Sequence, residues 1–286
     1  SRDAIQPGGA RANTELLDHA TLYVAKFDAD GKGRWLALTH GQGPLTAANG
    51  FADQGEVLIK TRQASDLLGA TKMDRPEWID IDKQGWVYCT LTNNSSRAGD
   101  KQPGVDAMNP RANNTMGNII RWKEDGDFDG ATFQWNHFVL AGDPANERAD
   151  AKGNVKGDAF GCPDGLWTDG RGVLWIQTDM STSAMGKGDL KGLGNNAMLA
   201  ADVKTGDIRR FLAQTMSEIR SGDLSIDKGM TIAALSKEIT ANMQTEVNVA
   251  KVRVQMLATG ENMGDVTQMG KLVIEDEGST PMLSGK

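Results

Sequence analysis

Three side chains mark where this chain could do chemistry. Glu77 and Asp164 each follow a proline directly, and Arg75 stands two places before Glu77. Two carboxylates brought to one place repel each other unless a cation lies between them. Their oxygens favour calcium or another hard cation over softer metals. An arginine beside such acids offers a planar fork of donors to an oxyanion such as phosphate. That is the equipment of phosphoester hydrolysis, in which metal activates an oxygen nucleophile and cations neutralise the charge that develops. A plainer reading stands beside it. Acids often start turns at strand ends, and neighbouring Arg and Glu often form only a surface pair.

The acids are related by a repeat. Residues 75–88 align without a gap with residues 162–175, so that Pro76-Glu77 matches Pro163-Asp164 at a separation of 87 positions. Each copy runs from Pro and an acid into a short apolar run, an Asp-x-x-Gly turn and an aromatic-rich run. Propeller blades of four short antiparallel strands take about 40 to 45 residues. The period is therefore read as two blades, with a weaker, intervening blade between the copies. A second similarity joins residues 21–31, 118–126 and 197–206, each a strand-like run ending in an acidic, Gly-containing turn. These read as outer strands. The runs are short, β-branched or aromatic, which excludes a helical solenoid. The fold expected is mainly β, a partial β-propeller, in which the innermost strands would aim Glu77 and Asp164 at a central channel.

Composition divides the chain. Every Trp, Tyr, Phe, His and Cys lies at or before Phe211, whereas seven of the 13 Met follow it. We therefore place β-propeller blades over 1–214 and a Met-rich, mainly helical tail over 215–286, with the change near 212–216. In the tail Ile232, Leu235, Ile239, Met243, Val247, Ala250, Val254 and Leu257 recur at steps of three or four, and Gly260 is a candidate C-cap. So narrow a stripe needs a partner surface, and a partner helix fits it best. The net charge of −7 argues against a nucleic-acid-binding surface. No apolar run is long enough for a membrane span, and no signal peptide is visible.

Other polar groups carry less. Asp82 and Asp169 occupy the Asp-x-x-Gly turns and read as turn formers. Thr92-Asn93-Asn94-Ser95 and Asp179-Met180-Ser181-Thr182 follow the two aromatic-rich runs as polar loops, with Asp179 aligned on Thr92. Asn109-Pro110-Arg111 is a polar loop whose arginine has no evident purpose. Residues 125–130 lack the bidentate Glu of a calcium-binding EF-hand and read as a turn. His19, His40 and His137 are scattered, and no zinc spacing appears. Cys89 and Cys162 fall two blades apart on this reading, so a disulfide is not expected.

Longer stretches resemble a known family. Asp74-Arg75-Pro76-Glu77-Trp78 within residues 69–79, Thr92-Asn93-Asn94-Ser95 within 88–95, Asn109-Pro110-Arg111 within 109–114, Cys162-Pro163-Asp164-Gly165-Leu166-Trp167 within 157–167, and Gly194-Asn195-Asn196 within 194–199 resemble hallmarks of PhoX-type alkaline phosphatases. The resemblance covers roughly residues 1–212. It implies a six-bladed propeller with insertions and a phosphomonoesterase that uses calcium and iron. It also implies a periplasmic or secreted protein, exported through the twin-arginine route. By the same resemblance Arg75 contacts phosphate, Glu77 bridges metals, Asp164 ligates calcium, and Asp18 ligates another metal. Arg75 and Glu77 are thus the catalytic candidates, and Glu77, Asp164 and Asp18 the metal candidates.

Departures from the family set limits on this expectation. The family's segment with an iron-ligating cysteine has no counterpart here, so neither Cys89 nor Cys162 inherits that role. The chain reads as the middle of such an enzyme joined to an unrelated end, too few blades to close a ring and incomplete as a catalyst. Two alternatives remain, a non-catalytic calcium-binding propeller remnant and an interaction protein acting through its helical tail.

Overall fold

The computed structural model describes residues 9–15, 20–126 and 128–210. Asp18 and the Met-rich tail with its boundary lie outside the described residues. Strands β1 (Tyr23–Phe27) and β2 (Lys32–Ala37) form a hairpin, followed by two short helices, α1 (Gln54–Ile59) and α2 (Thr61–Leu68). Then come β3 (Pro76–Ile81), β4 (Val87–Leu91), β5 (Asn118–Glu124) and β6 (Thr132–Leu140). The last elements are β7 (Lys156–Gly157), β8 (Pro163–Thr168), β9 (Val173–Thr178), β10 (Met198–Asp202) and β11 (Asp207–Arg210). No helix among the described residues is long and apolar enough to cross a membrane.

The Asp-x-x-Gly turns build the same hairpin twice. Asp82 Oδ1 accepts from the backbone N–H groups of Gln84 and Trp86, both at 2.9 Å. Asp169 Oδ1 accepts from those of Arg171 and Val173, at 2.8 and 3.0 Å. The turns close on Gly85 (φ 83°) and Gly172 (φ 85°), a left-handed conformation that a side chain would strain. Burial acts to raise the Asp169 carboxyl. The hydrogen bonds from Val173, Arg171 and Trp175 outweigh it and hold the group at about 2. Both aspartates are turn formers, as their positions suggested.

Each hairpin opens a four-stranded antiparallel blade. In the first sheet the order is β1-β2-β6-β5-β4-β3, so the β1–β2 hairpin extends a β3-to-β6 meander at its outer edge. In the second the order is β7-β11-β10-β9-β8, with two-residue β7 added in parallel to β11. β5 and β10 are equivalent third strands, whereas the third copy of that similarity, β1, is the outermost strand of the first sheet. Tyr88, Ile119 and Val139 of the first blade share one core with Leu166, Leu174, Ile176, Leu199 and Ile208 of the second. The opposite face of the first blade packs Cys89, Leu91, Ile120, Trp122, Phe133 and Trp135 around Phe27. Phe27 meets Phe133 and Trp135 edge-on at 5.0 and 5.3 Å.

One expectation is corrected. The repeat of 87 positions is one blade, not two, because β3 and β8 head neighbouring blades and no blade stands between them. The blade is long because residues 92–117 connect β4 to β5 and residues 141–162 lead from β6 to β8. Cys89 and Cys162 are accordingly one blade apart, both free and buried. Helices α1 and α2 occupy 54–68, a stretch without a strand-like or helical pattern long enough to announce them. There Asp53 caps α1 by accepting from Glu56 N–H at 2.8 Å, and Gly69 ends α2 in the left-handed conformation.

The 92–117 connection is pinned by a buried ion pair. Asp74 and Arg97 are both buried, with Arg97 Nε 2.8 Å from Asp74 Oδ1. Asn94 and Asn114 also donate to Asp74, and Arg97 further donates to the carbonyls of Lys72 and Gly104. Arg111 is spent the same way, on the carbonyls of Ala141, Lys152 and Gly117. Every one of these partners of the Asp74 carboxylate is a donor, so removing the arginine strands a buried charge. Arg97→Ala should cost about 3–5 kcal/mol in urea unfolding, whereas Arg171→Ala, beside exposed surface, should cost under about 1 kcal/mol. Equal small losses would show that the pair does not hold the loop.

Candidate active site

Arg75 and Cys162, equivalent in the repeat, both adopt left-handed backbone, with φ of 54° and 55°. Each precedes a proline, where extended backbone is the norm. Each is held through its carbonyl, Arg75 by the N–H of Thr92 at 3.1 Å and Cys162 by the N–H of Asp179 at 2.8 Å. A register shift follows at the same place in both blades, between Pro76 and Ile79 and between Pro163 and Leu166. Left-handed residue, proline, acid and bulge thus form one local device used twice. It puts Glu77 and Asp164 at the starts of the two innermost strands.

The two starts meet. Thr90 Oγ1 in the first blade donates to the Asp164 carbonyl in the second at 2.6 Å. Further along the two strands, Asp80 accepts from the backbone N–H of Thr168. Arg75 lies across the mouth, with one guanidinium nitrogen 3.0 Å from Asn93 Oδ1 and another 3.4 Å from Glu77 Oε1. The Arg75 and Glu77 side chains keep 54% and 37% of their surface exposed, so both are within reach of a solute.

Electrostatics report the same convergence. Burial raises the Asp164 carboxyl above its ordinary value, and the charges of Glu77 and Asp179 raise it further, against the pull of Arg75. Burial pushes the Cys89 thiol up to about 12, with Glu77 adding to it. Burial also raises the Cys162 thiol, and Asp179 adds to that, while Asn93 and Arg75 oppose. Glu77, Asp164 and Arg75 are therefore together as the sequence suggested. Among the described residues no set of three or more His, Cys, Asp or Glu is grouped for a metal. The carboxylate oxygens suit a hard cation, but two of them fall short of the six to eight oxygens that calcium takes. Both thiols are buried, Cys89 toward the Thr90 carbonyl and Cys162 between the Asn93 amide and the Thr115 carbonyl.

Two further residues of this site lie in the polar loops that follow β4 and β9. Asn93 contacts Arg75 directly, and Asp179 bears on Asp164. The alignment of Asp179 with Thr92 was the available signal for the second. Nothing in the spacing marked Asn93.

Comparisons with known proteins give the family. The family described as Alkaline phosphatase PhoX matches residues 1–245. This chain belongs to that family. The match runs past residue 212, where the motif resemblance stopped, and takes in part of the Met-rich tail. A solved structure of Pseudomonas fluorescens PhoX in complex with vanadate, a transition state analogue, is 48% identical with a TM-score of 0.67. That alignment covers 74% of this chain and 38% of the other, so the chain spans well under half of its relative's length. No curated protein matches.

An acid whose folded value is raised destabilises the fold once it ionises. Without bound cation, Asp164→Asn should therefore melt higher than the parent above about pH 4, the unfolded carboxylate value. The gap should close as pH falls below that value, where Asp164 is protonated in both states. Thermal unfolding in a chelator from pH 3.5 to 8 tests this. A parent more stable than the variant at pH 8 would mean that Asp164 is paired rather than repelled.

Proposed function

We propose that this chain contributes to phosphomonoester hydrolysis as an alkaline phosphatase, with Arg75 and Glu77 meeting the phosphoryl group. The observation that carries this reading is the exposed Arg75–Glu77 pair at the first blade's innermost strand, beside the Asp164 carboxylate of the next. It rests also on membership of the family and on the vanadate named with the solved relative. Glu77 and Asp164 are proposed as carboxylate ligands of a hard cation, calcium by the resemblance. Further ligands would come from water, substrate oxygens or residues beyond these two blades. The family's iron is not assigned to these residues, because the cysteine segment that the resemblance implies for it has no counterpart among them. When bound, such metal supplies positive charge to the phosphoryl oxygens and lowers the pKa of an oxygen nucleophile.

The residues themselves do the following. Arg75 donates through its planar fork to two phosphoryl oxygens, fixing the group's orientation and countering the charge that grows on it. Contact with Glu77 on one side and Asn93 on the other restricts the guanidinium before substrate arrives. The restriction lowers the entropy that binding must overcome. Export to the periplasm or outside the cell, by the twin-arginine route, belongs to the same proposal.

Turnover of p-nitrophenyl phosphate at alkaline pH with calcium and iron tests the activity, and calorimetry with inorganic phosphate tests the binding. Arg75→Ala should weaken phosphate binding about 10- to 100-fold, the worth of hydrogen bonds to a charged group. Glu77→Gln should lower turnover more than binding. Phosphate binding unchanged in Arg75→Ala would sink this reading. Retained binding with no turnover by the parent would leave a phosphate-binding unit and remove the claim of catalysis by this chain alone.

A further inference from the structure

The side-chain amide of Asn93 bridges the two repeat-equivalent residues. Its oxygen accepts from the Arg75 guanidinium at 3.0 Å, and its nitrogen donates to Cys162 Sγ at 3.3 Å. Cys162 in turn directs its own S–H at the Thr115 carbonyl, 3.5 Å away, which leaves sulfur lone pairs for Asn93. The order is fixed by chemistry. Guanidinium has only donors, so the amide oxygen must face it, and the nitrogen then needs an acceptor, which the thiol supplies. Cys162 is buried and held in left-handed backbone, so it is a rigid anchor. Arg75 is half exposed, and its guanidinium hydrogen-bonds Asn93 and Glu77.

We propose that Asn93 is the positioning residue of Arg75, anchored from the neighbouring blade by the Cys162 thiol, so that blade-to-blade packing sets the direction of the phosphate-binding fork. The inference rests on the reading of Arg75 as the phosphate contact. Asn93 does not touch phosphate. It holds one edge of the guanidinium, Glu77 holds another, and the remaining N–H groups point where an anion can take them. Two consequences separate this role from general support of the fold. Loss of Asn93 matters only while Arg75 is present. Loss of the anchor at Cys162 acts in the same direction, more weakly, because Oδ1 still meets Arg75.

The test is a double-mutant cycle on the full chain, with inorganic phosphate as the probe and calorimetry as the readout. Asn93→Leu, of similar size but without the amide, should weaken phosphate binding about tenfold. In an Arg75→Ala background the same change should alter binding less than twofold. Cys162→Ala should weaken binding about threefold with Arg75 present and not without it, and it serves if Asn93→Leu does not fold. If Arg75→Ala weakens binding but Asn93→Leu and Cys162→Ala do not, the inference fails while the phosphate reading stands. Equal losses in both backgrounds also overturn it, since they would reflect fold damage. If Arg75→Ala binds like the parent, the phosphate reading itself falls and takes the inference with it.

Discussion

A residue other than glycine in left-handed backbone immediately before a proline is an uncommon thing to find, and the described residues hold two, Arg75 and Cys162. Such backbone costs of order 1–3 kcal/mol at each position and lasts only where its surroundings impose it. Here each is held on both sides: its carbonyl accepts from the residue that follows the partner strand, Thr92 or Asp179, and its N–H donates to the carbonyl of Met73 or Met116. Everything at the candidate site depends on that turn. It aims the chain into the innermost strand and leaves the acid after the proline in the register shift at that strand's start.

Because the device is repeated, the site belongs to neither blade alone. Arg75 and Glu77 come from the first, Asp164 from the second, and Asn93 and Thr90 span the gap. The shared core under them, with Tyr88 packed among Leu166, Leu174 and Ile176, fixes the distance between the starts of β3 and β8. Tyr88 illustrates how polar groups are handled there. Its hydroxyl donates to Asp82 at 3.1 Å, and burial, with Asp82 nearby, pushes its pKa to about 12, so it stays neutral. The acids near the mouth get no such relief. Asp164 is raised by burial and by Glu77 and Asp179 together, a tension that a bound cation would release.

Much of this was legible in the residues. The gapless match of 75–88 with 162–175 announced equivalent strands, and Asp82 and Asp169 announced their turns, because Asx turns and tight glycines are local chemistry. The blade count was misread for a physical reason. Period alone does not separate two short blades from one blade with long connections. The connection 92–117 is ordered by a buried Asp74–Arg97 pair that no periodicity reveals. Helices α1 and α2 were missed because two turns of helix leave little pattern. Asn93 was missed because its meaning lies in a contact to Cys162, 69 positions away. The family motifs named Arg75, Glu77 and Asp164 but not what holds them in place.

The central claim is that the paired strand starts present one anion-binding mouth. The measurement closest to it is a crystal structure of this chain with vanadate. The anion should lie within hydrogen-bond distance of the Arg75 guanidinium, on the side away from Asn93, with Glu77 and Asp164 flanking it. Anion bound elsewhere, with Arg75 still turned to Glu77 and solvent, would contradict the claim.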